Sequence, residues 1–207
     1  LAYCFWEWGD VMLPVSASEH GIKTDQLMLT SMIIIFTVGI FTQWLLHYFA
    51  FVYRGSKEKK ALFYADNHRL EFIWTIIPVI VLAALIIYGL FTWSDIMYVD
   101  EDEDPLVIEL YAYQFDWRAR YSGIDNTLGK ANVRLIEGVN QLGVDISDPN
   151  AQDDIVVNEL HLPLGRKVLF KMRSQDVLHS AYMPHFRAQM NCVPGMITQF
   201  AFTTSMT

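Results

Sequence analysis

The sequence is poor in cysteine and contains no extended basic run, and both shortages narrow the classes of protein to which it can belong. Its two cysteines, Cys4 and Cys192, lie far apart and form no C-x-x-C pair, so neither a zinc site nor a disulfide framework is indicated. No basic run interleaved with aromatic residues occurs outside one short loop, which argues against a nucleic-acid partner. Residues 1–10 lack the basic region of an intact signal peptide.

Charged residues are missing from two long stretches, residues 27–53 and 72–93. About 20 apolar residues suffice to cross a hydrocarbon core roughly 30 Å thick, so each stretch is long enough to span a membrane. The alternative is a buried helix hairpin of a soluble protein. Two such stretches in a chain of 207 residues that is 53% hydrophobic favour two transmembrane helices instead. Pro78 lies inside the second stretch, where membrane helices tolerate proline.

The distribution of charge around the two stretches predicts an orientation. The connecting loop, residues 54–71, is basic and contains Arg54, Lys57, Lys59, Lys60 and Arg69. Lys23 is the only lysine or arginine before the first stretch. Five consecutive acidic residues, 100–104, follow the second stretch. The positive-inside rule therefore places the loop in the cytoplasm or matrix and both termini on the outer side. The aromatic residues at positions 5–8 are suited to lie along the outer interface.

Glu71 stands immediately before the second charge-free stretch, on the inner side. An acidic residue at a helix N-terminus is favoured by the helix dipole, which gives a purely structural interpretation. The functional interpretation is a carboxylate that collects protons at a channel mouth, because ionisable groups near membrane depth are often functional. The residues alone leave both interpretations open.

The part of the chain beyond residue 96 has the pattern of β-structure. Alternation over residues 106–121 predicts one half-buried strand, with one face formed by Tyr111, Tyr113, Phe115, Trp117 and Tyr121. The other face would be polar. Residues 122–158 form a long acidic connection. The simplest interpretation is a surface that faces solvent, and the alternative is a binding site for a basic partner. Further short strands over 155–157, 165–173, 176–183 and 196–204 indicate a β-sandwich or barrel.

Three short motifs occur in order along the chain: EFIWT at 71–75, YQFDW at 113–117 and DVLHS at 176–180. Together with the two spans and the outer β-region, they resemble subunit II of haem-copper oxidases, most closely subunit II of cytochrome c oxidase. The resemblance implies a membrane-anchored α+β chain. An outer N-terminal segment (1–26) would precede a transmembrane hairpin (27–95), and an outer cupredoxin-like β-sandwich (96–207), incomplete at its C-terminus, would follow.

The resemblance also implies a function. Subunit II accepts electrons from cytochrome c, or a cytochrome c domain, at a dinuclear copper centre and passes them to haem in subunit I. Subunit I carries the catalytic oxygen site and, with other oxidase subunits, couples oxygen reduction to proton pumping. The chain would then lie in the inner membrane of a bacterium or of a mitochondrion, in contact with the lipid bilayer. It would contain no catalytic residue of its own.

The resemblance assigns roles to four residues. His179 matches a copper-ligand histidine, although a lone histidine is by itself more often a polar filler than a ligand. Phe115 and Trp117 match the aromatic patch through which electrons enter, with Phe115 standing where the family usually has tryptophan. Glu71 matches the carboxylate at the inner mouth of a proton channel.

The sequence departs from the family in the remaining copper ligands, which lie on a loop with two cysteines four apart, then a histidine and a methionine. Nothing after Met196 supplies that loop, and Cys192 precedes the last strand without a partner cysteine. His185 and His161 are substitutes by residue type only. We therefore expect a copper subunit whose C-terminal part, past Thr207, is lacking from this chain.

Two alternatives stay open. One is a copper-free structural subunit II of a quinol oxidase, and the other is an unrelated membrane-anchored β-domain that binds a protein partner. A retained histidine at 179 favours the copper subunit over the quinol-oxidase alternative. The acidic segment 124–154 resembles an insertion relative to shorter family members.

Overall fold

The computed structural model describes residues 7, 13–55, 60, 63–99 and 104–205. The chain divides into two compact units. One unit contains Asp25–Thr92, and the other contains Leu1–Thr24 together with Trp93–Thr207. The suggestion that residues 5–8 lie along the interface falls almost entirely outside the described residues.

Two long helices form the membrane-spanning part, α1 (Glu19–Val52) and α2 (His68–Met97). Both are long and apolar enough to cross a membrane, and their apolar stretches are not covered by the rest of the chain. This confirms the predicted hairpin of spans. Helix α1 begins eight residues before the charge-free stretch because Ser18 caps it: the Gly21 N–H donates to Ser18 Oγ (3.2 Å).

The unit formed by Leu1–Thr24 and Trp93–Thr207, called the outer unit below, contains a five-stranded sheet and a separate two-stranded hairpin. The strands are β1 (Leu106–Tyr113), β2 (Asp116–Tyr121), β3 (Ile155–Val157), β4 (Lys167–Ser174), β5 (His179–Met183), β6 (Ala188–Cys192) and β7 (Thr198–Thr203). The order in the sheet is β3-β2-β1-β4-β7; β1 and β4 are parallel, and the other pairs are antiparallel. Strands β5 and β6 form the hairpin.

The hydrophobic core lies between the sheet and the hairpin. The sheet contributes large side chains, among them Phe170 and Phe200, whose ring centroids are 5.5 Å apart. The hairpin covers them with small residues, Ala181 and Ala188 together with Cys192. Burial of this apolar surface is the main force that holds the two layers together. The result is the expected β-sandwich-like outer domain, attached to a two-helix anchor.

The single strand predicted over 106–121 is wrong, because the structure divides it into the antiparallel pair β1 and β2. A two-residue turn, Gln114-Phe115, joins them, and it lacks the glycine, asparagine or aspartate that normally marks a tight hairpin. Reversal of the chain changes which residues share a face. Trp117 is paired with Ala112 on the core side, whereas Tyr111 is paired with Arg118 on the opposite side.

The acidic connection is also not simply a solvated face, because part of it covers the second side of the sheet. Arg120 is buried there, with Nε 2.8 Å from Glu109 Oε2 and Nη1 3.1 Å from Asp154 Oδ2. Arg173 forms a further ion pair with Glu109. Burial raises the pKa of Asp154, while the Gly129 N–H and Arg120 oppose that rise. The connection therefore supplies one carboxylate of a buried network of charges.

Candidate functional site

His179 is the first residue of β5, and its imidazole is held by Asp176. His179 Nε2 lies 2.7 Å from Asp176 Oδ1, and the histidine side chain is only 17% exposed. A carboxylate at this distance accepts a hydrogen bond from the Nε2–H, which leaves the lone pair on Nδ1. In the described part of the chain Nδ1 has no hydrogen-bond partner. The ring is therefore oriented as a nitrogen ligand.

Asp176 connects two loops of the outer unit. Its Oδ1 also accepts a hydrogen bond from the Val177 N–H (2.7 Å), and its Oδ2 accepts one from the Gln114 N–H (2.7 Å). The hydrogen bond from His179, with these two amides, lowers the pKa of Asp176 to about 2. One ionised carboxylate thus ties the β1–β2 turn to the segment that carries His179.

The two aromatic residues predicted for electron entry occupy different positions. Phe115 lies in the β1–β2 turn and is 95% exposed, so its ring is available to a partner. Trp117 is partly buried, and its ring contacts the imidazole of His179 edge-on, with centroids 5.8 Å apart and planes at 75°. The structure therefore brings Trp117, Asp176 and His179 together and places Phe115 at the adjacent surface.

Glu71 lies in the first turn of α2, in the other unit. Asn67 caps this helix, since its Oδ1 accepts a hydrogen bond from the Leu70 N–H (3.0 Å). The Glu71 carboxylate lies 3.2 Å from Nδ1 of the exposed His68 and is itself 45% exposed. The helix N-terminus accommodates the carboxylate, which stays partly exposed to solvent.

Copper-binding capacity can be judged from the donor atoms present. Within residues 13–55, 63–99 and 104–205, no group of three or more His, Cys, Asp or Glu side chains is arranged to hold a metal. His185 uses Nδ1 to reach the Val15 carbonyl (3.2 Å), and His161 lies beside Glu159. Neither joins His179 in such a group. The described residues alone do not form a dinuclear copper centre.

Cys192 lies directly across the hairpin from His179 in the strand register, yet it belongs to the core. It is fully buried, and burial raises the pKa of its thiol to about 11. A protonated thiol in apolar surroundings is a poor metal ligand. This agrees with the expectation that Cys192 does not replace the family's cysteines.

Sequence reasoning missed the role of Asp176 and of the Gln114 amide. The motif DVLHS contains the signal, because Asp176 precedes His179 by three residues and can fold back onto it. Gln114 is 62 residues away from Asp176 in the sequence, and no local pattern predicts the hydrogen bond between them.

The fold and the site define a class: a membrane-anchored subunit whose outer cupredoxin-like domain presents a carboxylate-oriented histidine beside a tryptophan. Comparison with protein families makes this specific. Residues 6–91 match the transmembrane domain of cytochrome c oxidase subunit II, and residues 106–207 match the periplasmic domain of the same subunit. The chain belongs to the cytochrome c oxidase subunit II family.

Individual relatives agree with this assignment. An alternative cytochrome c oxidase subunit 2 of Bradyrhizobium diazoefficiens is 34% identical over 199 residues, which are 94% of this chain and 68% of the relative. Cytochrome c oxidase subunit 2 of Alkalihalophilus pseudofirmus is 28% identical over 63% of this chain and 31% of its own length. Cytochrome c oxidase subunit 2 of Mycobacterium tuberculosis is 22% identical over 94% of this chain and 62% of its own length. The chain thus spans between about a third and two thirds of these relatives' lengths.

Among solved structures, the periplasmic domain of subunit II of cytochrome oxidase from Bradyrhizobium japonicum is 21% identical. The match covers 54% of this chain and 69% of that one, with a TM-score of 0.34. A second structure, a mixed-disulfide intermediate between a thioredoxin-like protein and subunit II of cytochrome c oxidase, is 23% identical, with a TM-score of 0.35.

Proposed function

We propose that this chain is the electron-input subunit of a terminal haem-copper oxidase. It accepts electrons from cytochrome c, or a cytochrome c domain, at its outer unit and passes them to haem in subunit I, where oxygen is reduced and protons are pumped. The observation that carries this proposal is the contact between Trp117 and His179, with the imidazole held in one orientation by Asp176.

The first step assigned to the chain is docking of the donor at the β1–β2 turn. Phe115 offers an exposed aromatic ring at the tip of this turn. Trp117 follows two residues later in the sequence and its ring contacts the imidazole of His179. Phe115 therefore acts as a contact residue, and Trp117 as the residue nearest to the electron acceptor.

His179 is proposed as one ligand of the dinuclear copper centre that the family contains. Its Nδ1, which has no hydrogen-bond partner among the described residues, supports this role, since imidazole nitrogen is a suitable ligand for copper. Asp176 is a positioning residue, because it fixes the ring and its tautomer. The other ligands are not among the described residues, so we assign this chain no further part of the centre.

A copper-free structural subunit of a quinol oxidase is the second candidate. It is favoured by the finding that the described residues form no group of three or more metal-ligating side chains. The orientation of His179 argues against this candidate. A structural subunit does not need an imidazole whose Nε2 is hydrogen-bonded to Asp176 and whose Nδ1 has no partner among the described residues. Electron-donor preference distinguishes the two candidates.

The test compares oxygen consumption by the purified oxidase with reduced cytochrome c and with a quinol as donor. The variants are His179→Leu and, as a matched control, His185→Leu, which removes an exposed histidine elsewhere in the outer unit. We expect His179→Leu to lower cytochrome c-driven turnover by at least about tenfold, as loss of metal-site groups does, and the control to leave it unchanged. Quinol-driven turnover that is high and insensitive to His179→Leu would establish the scaffold instead.

Glu71 is proposed as the carboxylate at the inner entrance of a proton channel. Its position at the start of α2 and its partial exposure support this role. We expect Glu71→Gln to slow proton uptake by the assembled oxidase without changing assembly, because the amide keeps the shape and loses the titratable group. Asp66→Asn, an exposed acid in the preceding loop, is the control. Unchanged proton uptake in Glu71→Gln would leave Glu71 only the structural role of an acidic residue favoured by the helix dipole.

The proposed assembly follows from the same function. Subunit I and other oxidase subunits are the partners of the exposed apolar faces of α1 and α2, together with lipid. The proposed location is the inner membrane of a bacterium or mitochondrion, with both termini on the outer side. The proposed domain limits remain 1–26, 27–95 and 96–207.

A further inference from the structure

A cavity of about 740 Å³ lies within the outer unit, at the end of α2 and beside the start of α1. Strands β4 and β7 complete its wall. Its volume is within the range of small-molecule sites. The side chains that matter for its chemistry are Glu19, His20, Lys23, Asp95, Tyr98 and Lys167.

His20 is the most informative of these residues. It is 7% exposed, and among the described residues neither of its ring nitrogens has a hydrogen-bond partner. The carbonyls of Phe186 and Arg187 lie nearby, but the ring does not reach hydrogen-bond geometry with them. Buried polar groups are nearly always satisfied, and a neutral imidazole offers one donor and one acceptor. Because no described residue satisfies this ring, it offers one donor and one acceptor to a ligand in the cavity.

The charges around the cavity are balanced. Lys23 forms an ion pair with Asp95, and Glu19 and Lys167 add one further charge of each sign. A wall with two acids and two bases matches a ligand that itself carries both signs. It does not match a simple anion, because two carboxylates would oppose binding, nor an apolar ring.

The cavity residues that belong to α1 and α2 lie close in sequence to the two charge-free stretches. Lys23 is four residues before Leu27, where the first charge-free stretch begins, which is about 6 Å along a helix. Asp95 comes two residues after Trp93, which ends the second stretch. Tyr98 adds an aromatic residue of the kind enriched at membrane interfaces. The ligand class available at this level is a phospholipid headgroup.

We propose that this cavity binds the headgroup of a zwitterionic phospholipid with a primary ammonium, the phosphatidylethanolamine class. The phosphate approaches Lys23 and Lys167, and the ammonium approaches Glu19. The acceptor nitrogen of His20 takes a hydrogen bond from the ammonium. A choline headgroup has no N–H to donate, so the site prefers ethanolamine over choline.

The test uses the purified oxidase complex in nanodiscs of phosphatidylcholine with about one fifth phosphatidylethanolamine, a mixture that offers both headgroups at the membrane interface. Lipids retained after transfer to detergent are counted by native mass spectrometry. The variants are His20→Phe, which keeps an aromatic ring beside Phe202, and Glu19→Gln, an exposed change that leaves the core intact. His161→Phe, which alters an exposed histidine, is the matched control.

We expect wild type and His161→Phe to retain phosphatidylethanolamine in preference to phosphatidylcholine. Loss of a hydrogen bond to a buried group should reduce that retention by about fivefold or more in His20→Phe, and Glu19→Gln should reduce it as well. Equal retention of the two lipids by wild type, or unchanged selectivity in both variants, would overturn the proposal. Displacement of the lipid by inorganic phosphate would show a free-anion site and would also overturn it.

Discussion

The buried charge network on the second face of the sheet gives the sharpest prediction about stability. Replacement of Arg120 by leucine leaves Glu109 and Asp154, whose side chains are 5% and 3% exposed, without their shared cation. Removing one partner of a buried ion pair typically costs about 3–5 kcal/mol, because an uncompensated charge stays in a medium of low dielectric constant. Arg173 still contacts Glu109, so the larger loss falls on Asp154.

Arg118→Leu is the matched control. Arg118 pairs with Asp116 at 2.6 Å, but the carboxylate is 51% exposed, and surface pairs of this kind contribute about 0–1 kcal/mol. Each kcal/mol shifts the melting temperature of a domain of about 100 residues by roughly 4–8 °C. We therefore expect Arg120→Leu to lower the Tm of the outer unit by at least about 12 °C, and Arg118→Leu by less than about 8 °C.

Thermal unfolding of the purified subunit, followed by far-UV circular dichroism, measures both variants. A triple replacement of Arg120, Glu109 and Asp154 by leucine removes all three charges and should recover much of the loss, because it leaves no buried charge unpaired. Equal Tm values for Arg120→Leu and Arg118→Leu would refute the idea that the acidic connection is held by a buried network.

Three further predictions concern the site and its surroundings. Trp117→Leu should lower kcat for cytochrome c oxidation because Trp117 touches His179, whereas Phe115→Ala should mainly raise KM because the ring is an exposed contact; stopped-flow and steady-state kinetics separate these effects. In a Cys4→Ser background, Cys192 should resist iodoacetamide at mildly alkaline pH until the chain is unfolded, since burial raises its pKa to about 11; labelling of the folded chain at the rate of a free thiol would contradict this. Backbone hydrogen bonds hold the pKa of Asp153 below its usual value of 3.8, so the stability that this carboxylate contributes is present above pH 3.8 and is lost as the pH falls further. Asp153→Asn should therefore make the decline of Tm in acid shallower. An unaltered decline would argue against this contribution of Asp153.

The helices and most strands could be predicted because their signals are local. The charge-free stretches locate α1 and α2, and alternation of large apolar residues locates β4 and β7. The β1–β2 turn could not be found in this way, since Gln114-Phe115 carries no turn residue and alternation continues across it. Strand β6 was missed because its sequence, AQMNC, alternates weakly and is defined by pairing with β5.

The residues of the site also divide into those that local sequence patterns predict and those that they do not. His179, Trp117 and Glu71 were identified through motifs, each of which is short and continuous. Their environment was not predictable, because it depends on contacts between distant parts of the chain. The contact of Trp117 with His179 and the bond from Gln114 to Asp176 join segments about 60 residues apart. The buried Arg120 is a third example, since only packing of the acidic connection onto the sheet takes its charge out of water.

The most direct test of the proposed function is the copper content of the oxidase. The copper-to-haem ratio is measured by elemental analysis and haem spectroscopy on complexes purified with the wild-type subunit, with His179→Leu and with His185→Leu. The proposal predicts a ratio in the wild type above that of an oxidase with copper in subunit I alone, a drop to that lower value in His179→Leu, and no change in His185→Leu. A wild-type ratio already at the lower value, or one that His179→Leu leaves unaltered, would contradict the claim that His179 is a copper ligand.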